Sequence, residues 1–479
     1  EKGSEARLRL AASPTPLARL ELRMNQGNDG GNLPMVFGVP FALTNGYTFI
    51  DTLGKGGFGL VADCRNAEGD SVAVKKIPNV FGTQTTLKRT LRETMLLRHF
   101  QHENILCLKE ILQPPLGEVF CDVYLATDRM DTDLFHIIHS PQDLTDNHFQ
   151  WFLYQILRGL SFLHGENVMH RDLKPSNLLV NKNCDLKICD FGLAREVDDG
   201  NAMTQYVVTR WYRAPEILLK CSNYTKAVDV WSVGCIFAEM LGRSVLFQGR
   251  NYVDQLKTII SVLGKPTDEL ILEMGPLRPD AVLASLAKLP ERLAVPFDQI
   301  FPKANPEALD LLQSLLVFEP ARRLEANQVR CHQIDVSNMV AQALHHKYLS
   351  KLVGPMGVNQ PKAAPPFDMT SFESESSAAE LEGLMVSQVL IDHPNLQCDD
   401  HRVFTLKSTG PEAAPQLAAA AVAAQPTPDA PQATPDAAAG ETGQKRHRGD
   451  GAQAAQSDCV VTDDASPKGK RARDPSDVP

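Results

Sequence analysis

Apolar and polar positions alternate with short turn signals from Tyr47 to about Leu349, and the alternation fades on either side of that stretch. At its start the pattern predicts strands. YTFIDTLG (47–54) and GLVADCRN (59–66) flank a glycine-rich turn, and DSVAVKKI (70–77) follows as a third strand. TLKRTLRETMLLRHF (86–100) places its apolar residues at helical spacing, and EVFCDVYLATDRM (118–130) reads as a strand pair. Further on, HFQWFLYQILRGLSFLHGENV (148–168) and YTKAVDVWSVGCIFAEML (224–241) read as buried helices. The layout predicted is an α+β chain with a sheet-rich small lobe followed by a larger, mainly helical lobe.

Composition narrows the function classes. The chain has 479 residues, 43% hydrophobic and 22% charged, which is ordinary for a globular protein. Its formal charge of −10 argues against a general nucleic-acid binder. The ten cysteines contain no CxxC pair, so neither a disulfide framework nor a zinc site is expected. No apolar run reaches the length of a membrane span. Residues 410–440 are mostly Ala, Pro, Gln, Thr and Asp, a mixture that buries too little apolar surface to offset chain entropy.

The chemistry begins in the glycine-rich turn, with Gly54, Lys55, Gly56, Gly57 and Gly59 followed by Val61. Glycines let the backbone approach phosphates and present N–H groups to them. The same spacing marks dinucleotide-binding folds, but those need a helix directly after the last glycine, and LVADCRN supplies a strand. On the next strand Lys75 can reach nucleotide phosphates if an anion holds it, and Glu93 on the following helix is the candidate anion. Either residue alone reads more readily as a surface charge. The block His170-Arg-Asp-Leu-Lys-Pro-Ser-Asn177, followed by Asp190-Phe-Gly192, decides the matter. Phosphoryl transfer needs charge positioned more than it needs covalent chemistry. Asp172 is suited to accept the proton of an attacking hydroxyl, Lys174 to neutralise the γ-phosphate, and Asn177 and Asp190 to hold Mg²⁺ against ATP.

On these motifs the chain resembles the eukaryotic protein kinases over about residues 47–349, and within them the CMGC group. The resemblance implies a small lobe at 47–130 and a large lobe at 131–349, with an unusual insertion near 327–340. It further implies a disordered extension at 1–46, a C-terminal extension at 350–400 packing on the kinase domain, and a disordered tail at 401–479. Thr127 would sit at the back of the adenine pocket, Asp128 and Met130 at the adenine edge, and Asp133 at the ribose. Val61, Ala73 and Leu179 would sandwich the ring, and Glu216 would pair with Arg323.

Thr204-Gln-Tyr206, directly before VVTRWYRAPE, is similar to the dual-phosphorylation lip of MAP kinases, with an unusual Gln205 in the middle. Phosphorylated Thr204 would meet Arg92, Arg171 and Arg195, and phosphorylated Tyr206 would sit on Arg210 and Arg213. The implied function is a proline-directed serine/threonine kinase. Its implied partners are ATP, proteins with Ser-Pro or Thr-Pro sites, an upstream dual-specificity MAP kinase kinase and phosphatases, without nucleic acid or membrane. Nemo-like and cyclin-dependent kinases are the neighbouring readings, and a pseudokinase scaffold the distant one. Basic clusters at Lys445–Arg448 and Lys468–Arg473 suit a nuclear address, so a cytoplasmic and nuclear location is expected.

Overall fold

The computed structural model describes residues 33–56, 59–196, 209–221, 224–323, 337–352, 367 and 376–407. A short hairpin, β1 (Met35–Val36) and β2 (Val39–Pro40), leads into the small lobe. There β3 (Thr48–Gly56), β4 (Gly59–Arg65), β5 (Ser71–Ile77), β6 (Leu108–Ile111) and β7 (Val123–Asp128) form one antiparallel sheet in the order β3-β4-β5-β7-β6. The helix α1 (Gln84–His99) starts where the Thr83 side chain accepts the Thr86 N–H, and its Leu87, Leu91, Leu96 and Leu97 join Ile77, Val123 and Leu125 in the core.

The large lobe opens with β8 (Thr132–Asp133), α2 (Leu134–His139) and α3 (Asp146–Gly165). The short strands β9 (Val168–Met169), β10 (Leu178–Val180), β11 (Leu186–Ile188) and β12 (Arg195–Glu196) follow, with β10 central in the order β11-β10-β8. Helices α4 (Pro215–Leu218), α5 (Ala227–Gly242), α6 (Tyr252–Leu263), α7 (Asp268–Glu273), α8 (Pro279–Leu286), α9 (Phe297–Ile300), α10 (Pro306–Leu315) and α11 (Ser337–Leu344) complete it. The α5 helix is buried from Ala227 to Met240, as expected of a helix apolar all round. Its Asp229 is fully buried yet satisfied: one carboxylate oxygen accepts the His170 N–H (2.9 Å) and lies 3.0 Å from His164 Nε2, and the other accepts the Arg171 N–H (2.8 Å). Burial pushes this carboxyl up, but the His164 contact and the N–H donors outweigh it and hold it below the usual range. Two backbone bonds to a carboxylate in the first turn of α5 thus fix the turn at Arg171, whose φ is +67°.

The structure moves both edges drawn from sequence. Within the 1–46 extension, Val36 and Phe41 are fully buried, and Phe41 packs edge-on against Tyr124 with ring centroids 5.2 Å apart. The tail does not become irregular at 401. After α12 (Ala378–Asp392) come β13 (Leu396–Cys398) and its antiparallel partner β14 (Phe404–Leu406). Phe404 is fully buried against Phe120, and Val403 bridges Val119. Three apolar residues among polar neighbours carry too weak a period to predict a strand. The stretch 118–130 is likewise one strand and not two: β7 pairs upstream with β6, and Val119 forms an isolated bridge to Val403 in the tail. The insertion near 327–340 lies mostly outside the described residues.

The C-terminal segment lies along α1. A capping box between Ser377 and Glu380 starts α12, which buries Leu381, Met385 and Val389. Arg98 near the end of α1 grips Asp392 through two N–H groups (2.7 and 2.8 Å), and Asp392 also accepts the Ile111 N–H (2.8 Å) at the edge of β6.

Candidate active site

The small lobe presents one face of its sheet to the cleft. Val61 stands opposite Lys75, Asp63 opposite Ala73, and Ala73 opposite Thr127 in the ladder, so these side chains share a face. Glycine is required at position 59, where a Cβ would lie 2.6 Å from the Lys76 carbonyl oxygen. Gly54, Lys55 and Gly56 end β3, with open space at Gly54 and an ordinary contact to the Gly59 carbonyl oxygen (3.9 Å) for a Cβ at Gly56, and Gly57 lies outside the described residues. Thr127 is buried, with its hydroxyl 3.5 Å from the Ala73 carbonyl oxygen. Met130 is buried, while the Asp128 side chain turns outward to Lys109 (3.3 Å) and Lys187 (3.4 Å). Leu179 lies on β10 opposite Asp133. Asp133 itself caps α2 by accepting the His136 N–H (2.9 Å).

At the back of the cleft two lysines stand among three carboxylates, so that each charge has an opposite one at hand. Lys75 Nζ lies 2.5 Å from Glu93 Oε1. Burial opposes the lysine's charge, but Glu93 and Asp190 outweigh it and hold the ammonium above its usual range. Burial likewise pushes Glu93 up, with Lys75 pulling the other way. Asp190 behaves oppositely: burial would raise it, but Lys75 and Lys174 keep it ionised. Lys174 Nζ lies 2.7 Å from Asp172 Oδ2, and the Asn177 amide donates to the Asp172 carbonyl (2.9 Å) and carboxylate (3.2 Å). Burial raises the Asp172 carboxyl above an ordinary aspartate despite Lys174.

Asp190 and Asn177 supply a carboxylate and an amide oxygen, the hard donors that Mg²⁺ takes. Among the described residues no group of three or more His, Cys, Asp or Glu gathers. A Mg²⁺ held mainly by phosphate oxygens and water needs no such group, so the residues present fit that ion.

Below the cleft lie the arginines singled out beside the lip. Arg92 is buried and donates to the Gly192 carbonyl (2.5 Å), while Arg171 stacks over Tyr224 and Arg195 donates to the Ala194 carbonyl (2.9 Å). Arg210 and Arg213 flank the ring of Tyr252, their guanidinium carbons 5.7 and 5.6 Å from its centroid, and Arg213 also donates to the Tyr252 hydroxyl. Arg213 Nε and Nη2 and Arg210 Nε are buried without a hydrogen-bond partner among the described residues. Thr204 and Tyr206 lie outside the described residues. Tyr252, which sequence reasoning passed over, orients both guanidiniums. Its signal was an aromatic at the first position of α6, where an exposed turn favours polar residues. Glu216 and Arg323 form the expected buried pair through two bonds (2.6 and 2.7 Å), anchoring the end of this segment to the large lobe.

Comparison with known proteins agrees with this geometry. The protein kinase domain family matches residues 47–334. The chain is 44% identical over 364 residues to mitogen-activated protein kinase 5 of Oryza sativa subsp. indica, covering 76% of this chain and 94% of that one. It is 46% identical over 359 residues to mitogen-activated protein kinase 4a of Physcomitrium patens (74% and 90% covered) and 45% over 349 to mitogen-activated protein kinase 3 of Arabidopsis thaliana (72% and 88%). The chain belongs to the mitogen-activated protein kinases, serine/threonine kinases that use ATP with Mg²⁺.

Proposed function

We propose that this kinase phosphorylates Ser-Pro and Thr-Pro sites once an upstream dual-specificity kinase has phosphorylated Thr204 and Tyr206, and that phosphatases reverse the switch. ATP supplies the phosphoryl group and Mg²⁺ offsets its charge. Asp172 orients the substrate hydroxyl and takes its proton as the new O–P bond forms and the bond to the departing ADP oxygen breaks. Lys174 stabilises negative charge on the transferred group. Lys75, held by Glu93, fixes the inner phosphates. Asn177 and Asp190 would hold the ion. Thr127, Met130 and the backbone of Asp128 border the adenine, Asp133 the ribose, and Val61, Ala73 and Leu179 the two faces of the ring. The tail's basic clusters support work in both cytoplasm and nucleus.

The observation that carries the switch is the pair Arg210 and Arg213, a few residues beyond Tyr206 in the sequence, whose buried Nε groups and Arg213 Nη2 lack an acceptor among the described residues. Leaving charged donors unpaired is costly, and a phosphate satisfies several at once. Phosphate on Thr204 would act through Arg92, Arg171 and Arg195, and Arg92 adjoins Glu93 on α1. The lip then shapes a shallow pocket after the phosphoacceptor that suits proline, which leaves no N–H unpaired there. A degenerate peptide library with the dually phosphorylated enzyme tests this. A preference of about tenfold or more for proline over alanine is expected, since a buried unpaired N–H costs about 1–3 kcal/mol. Equal rates would reject the proline-directed reading.

A further inference from the structure

The segment joining the lobes carries a charged residue that the nucleotide contacts do not use. Arg129 stands between Asp128 and Met130, and its side chain links three elements. Its Nε donates to Asp63 Oδ2 on β4 (3.1 Å), and its Nη1 meets Asp131 Oδ1. The other oxygen of Asp131 accepts the N–H of Lys182 in the turn after β10 (2.9 Å). The other oxygen of Asp63 accepts the Ser71 hydroxyl at the start of β5 (3.2 Å). One chain of bonds therefore runs from the small lobe through the hinge to the large lobe.

Its placement gives it a consequence for the nucleotide. Asp63 is two residues from Val61 and directly opposite Ala73, on the face that roofs the cleft. Lys182 follows Leu179 by three residues, and the Asp131 N–H also bonds the Val180 carbonyl (3.0 Å), so the far end of the chain is fastened to the floor. Asp63 is only 8% exposed, and among the described residues Arg129 is its one paired cation. A buried carboxylate depends strongly on its partner. On the opposite flank Lys109, Asp128 and Lys187 also span the hinge, at 3.3 and 3.4 Å, but Lys109 and Asp128 are more than a third exposed, where ion pairs contribute little.

We infer that Arg129 is a positioning residue for ATP: through Asp63 and Asp131 it holds roof and floor at the spacing the adenine ring needs. This rests on the nucleotide site proposed above. The test uses the full-length protein with Arg129→Met, which keeps length and loses charge, Asp63→Asn, their double variant and Arg129→Lys. Mg²⁺-ADP binding is measured by calorimetry, and the KM values for ATP and peptide with kcat by steady-state kinetics. Losing the link is expected to raise the ADP Kd and the ATP KM about five- to thirtyfold, with kcat within about twofold and peptide KM unchanged. The double variant should be no worse than the weaker-binding single variant, because both act through one link. Arg129→Lys should recover part of the loss. Wild-type ATP KM in Arg129→Met, losses that add in the double variant, or an equal fall in kcat with a changed peptide KM would each overturn the inference. Were Arg129→Met not to fold, the same readings on Arg129→Lys and Asp63→Asn decide it. Ala73→Trp separates the two claims: if it leaves ADP binding intact, the nucleotide site itself is misassigned, whatever the Arg129 variants do.

Discussion

The back of the cleft and the arginine pair beside Tyr252 are both rich in charge, but only the first is balanced in the sense that each charge has an opposite one at hand. Lys75 faces Glu93, Lys174 faces Asp172, and Asp190 stays ionised between the two lysines. Arg210 and Arg213 instead share a tyrosine ring and keep some buried N–H groups without acceptors among the described residues. A balanced set is ready for chemistry whenever its substrates arrive. An unbalanced cationic set is a standing demand for an anion, which is where a phosphate exerts most leverage. With the function proposed above, the two regions would divide the work: one to react and the other to be switched.

The largest effect should come from breaking the balanced side at its centre. Asp172→Asn keeps the shape but loses the proton acceptor, so turnover on peptide should fall about a thousandfold while ADP binding stays near wild type. The pH profile sharpens the point. The base acts only when ionised, and burial raises its pKa. The rate must therefore fall on the acid side, at a pH above that of an ordinary aspartate near 3.9. Turnover of Asp172→Asn close to wild type would remove Asp172 from the mechanism.

The same contrast separates what sequence reveals from what it hides. The balanced side was legible because its residues sit in short, fixed spacings, as in HRDLKPSN and DFG, and because Lys75 lies on a strand of clear apolar period. Its partner Glu93 could be named from the helix that follows. The features missed are held by long-range contacts whose local signal is faint. Phe404 is buried by Phe120, nearly three hundred residues earlier. Asp63 interrupts an apolar run while Arg129 lies in the polar stretch that follows another, and only the fold shows that they pair. Val36 and Phe41 read as an unpatterned leader until Tyr124 supplies the surface they cover.

A smaller effect should come from the unbalanced side. Replacing Arg210 and Arg213 together by Gln removes the charge while retaining polar reach. The gain in activity on dual phosphorylation should then drop about ten- to a hundredfold, as expected for losing charge-assisted bonds of about 1.5–3 kcal/mol. The measurement is kcat/KM of lip-phosphorylated protein divided by that of unphosphorylated protein, for the variant and for wild type. An unchanged ratio would mean that these donors answer to something other than the lip.

The smallest effect concerns a third kind of buried group, one kept neutral rather than balanced or unbalanced. His102 is 8% exposed, stacks on Phe162 at 4.9 Å, and accepts the Asn104 N–H at its Nδ1 (3.0 Å). That nitrogen must be bare to accept, and burial together with the nearby Arg158 cation pushes the ring down to about 4 from its usual 6.5. The sign follows directly. Between those two values the unfolded chain binds a proton that the folded chain refuses, so stability is full above pH 6.5 and declines as the pH falls toward 4. A difference of that size corresponds to about 2–3 kcal/mol over the whole window. His102→Asn supplies a non-titrating oxygen placed to accept the N–H two residues on, as asparagine commonly does in turns. Urea unfolding at pH 7, 5.5 and 4.5 should show the variant somewhat less stable at pH 7, from lost ring packing, yet with a shallower decline into acid by about one proton. If the two proteins lose stability in parallel, His102 is not the group that refuses the proton, and the acid sensitivity belongs to other groups such as His164, which burial also holds down despite its Asp229 contact.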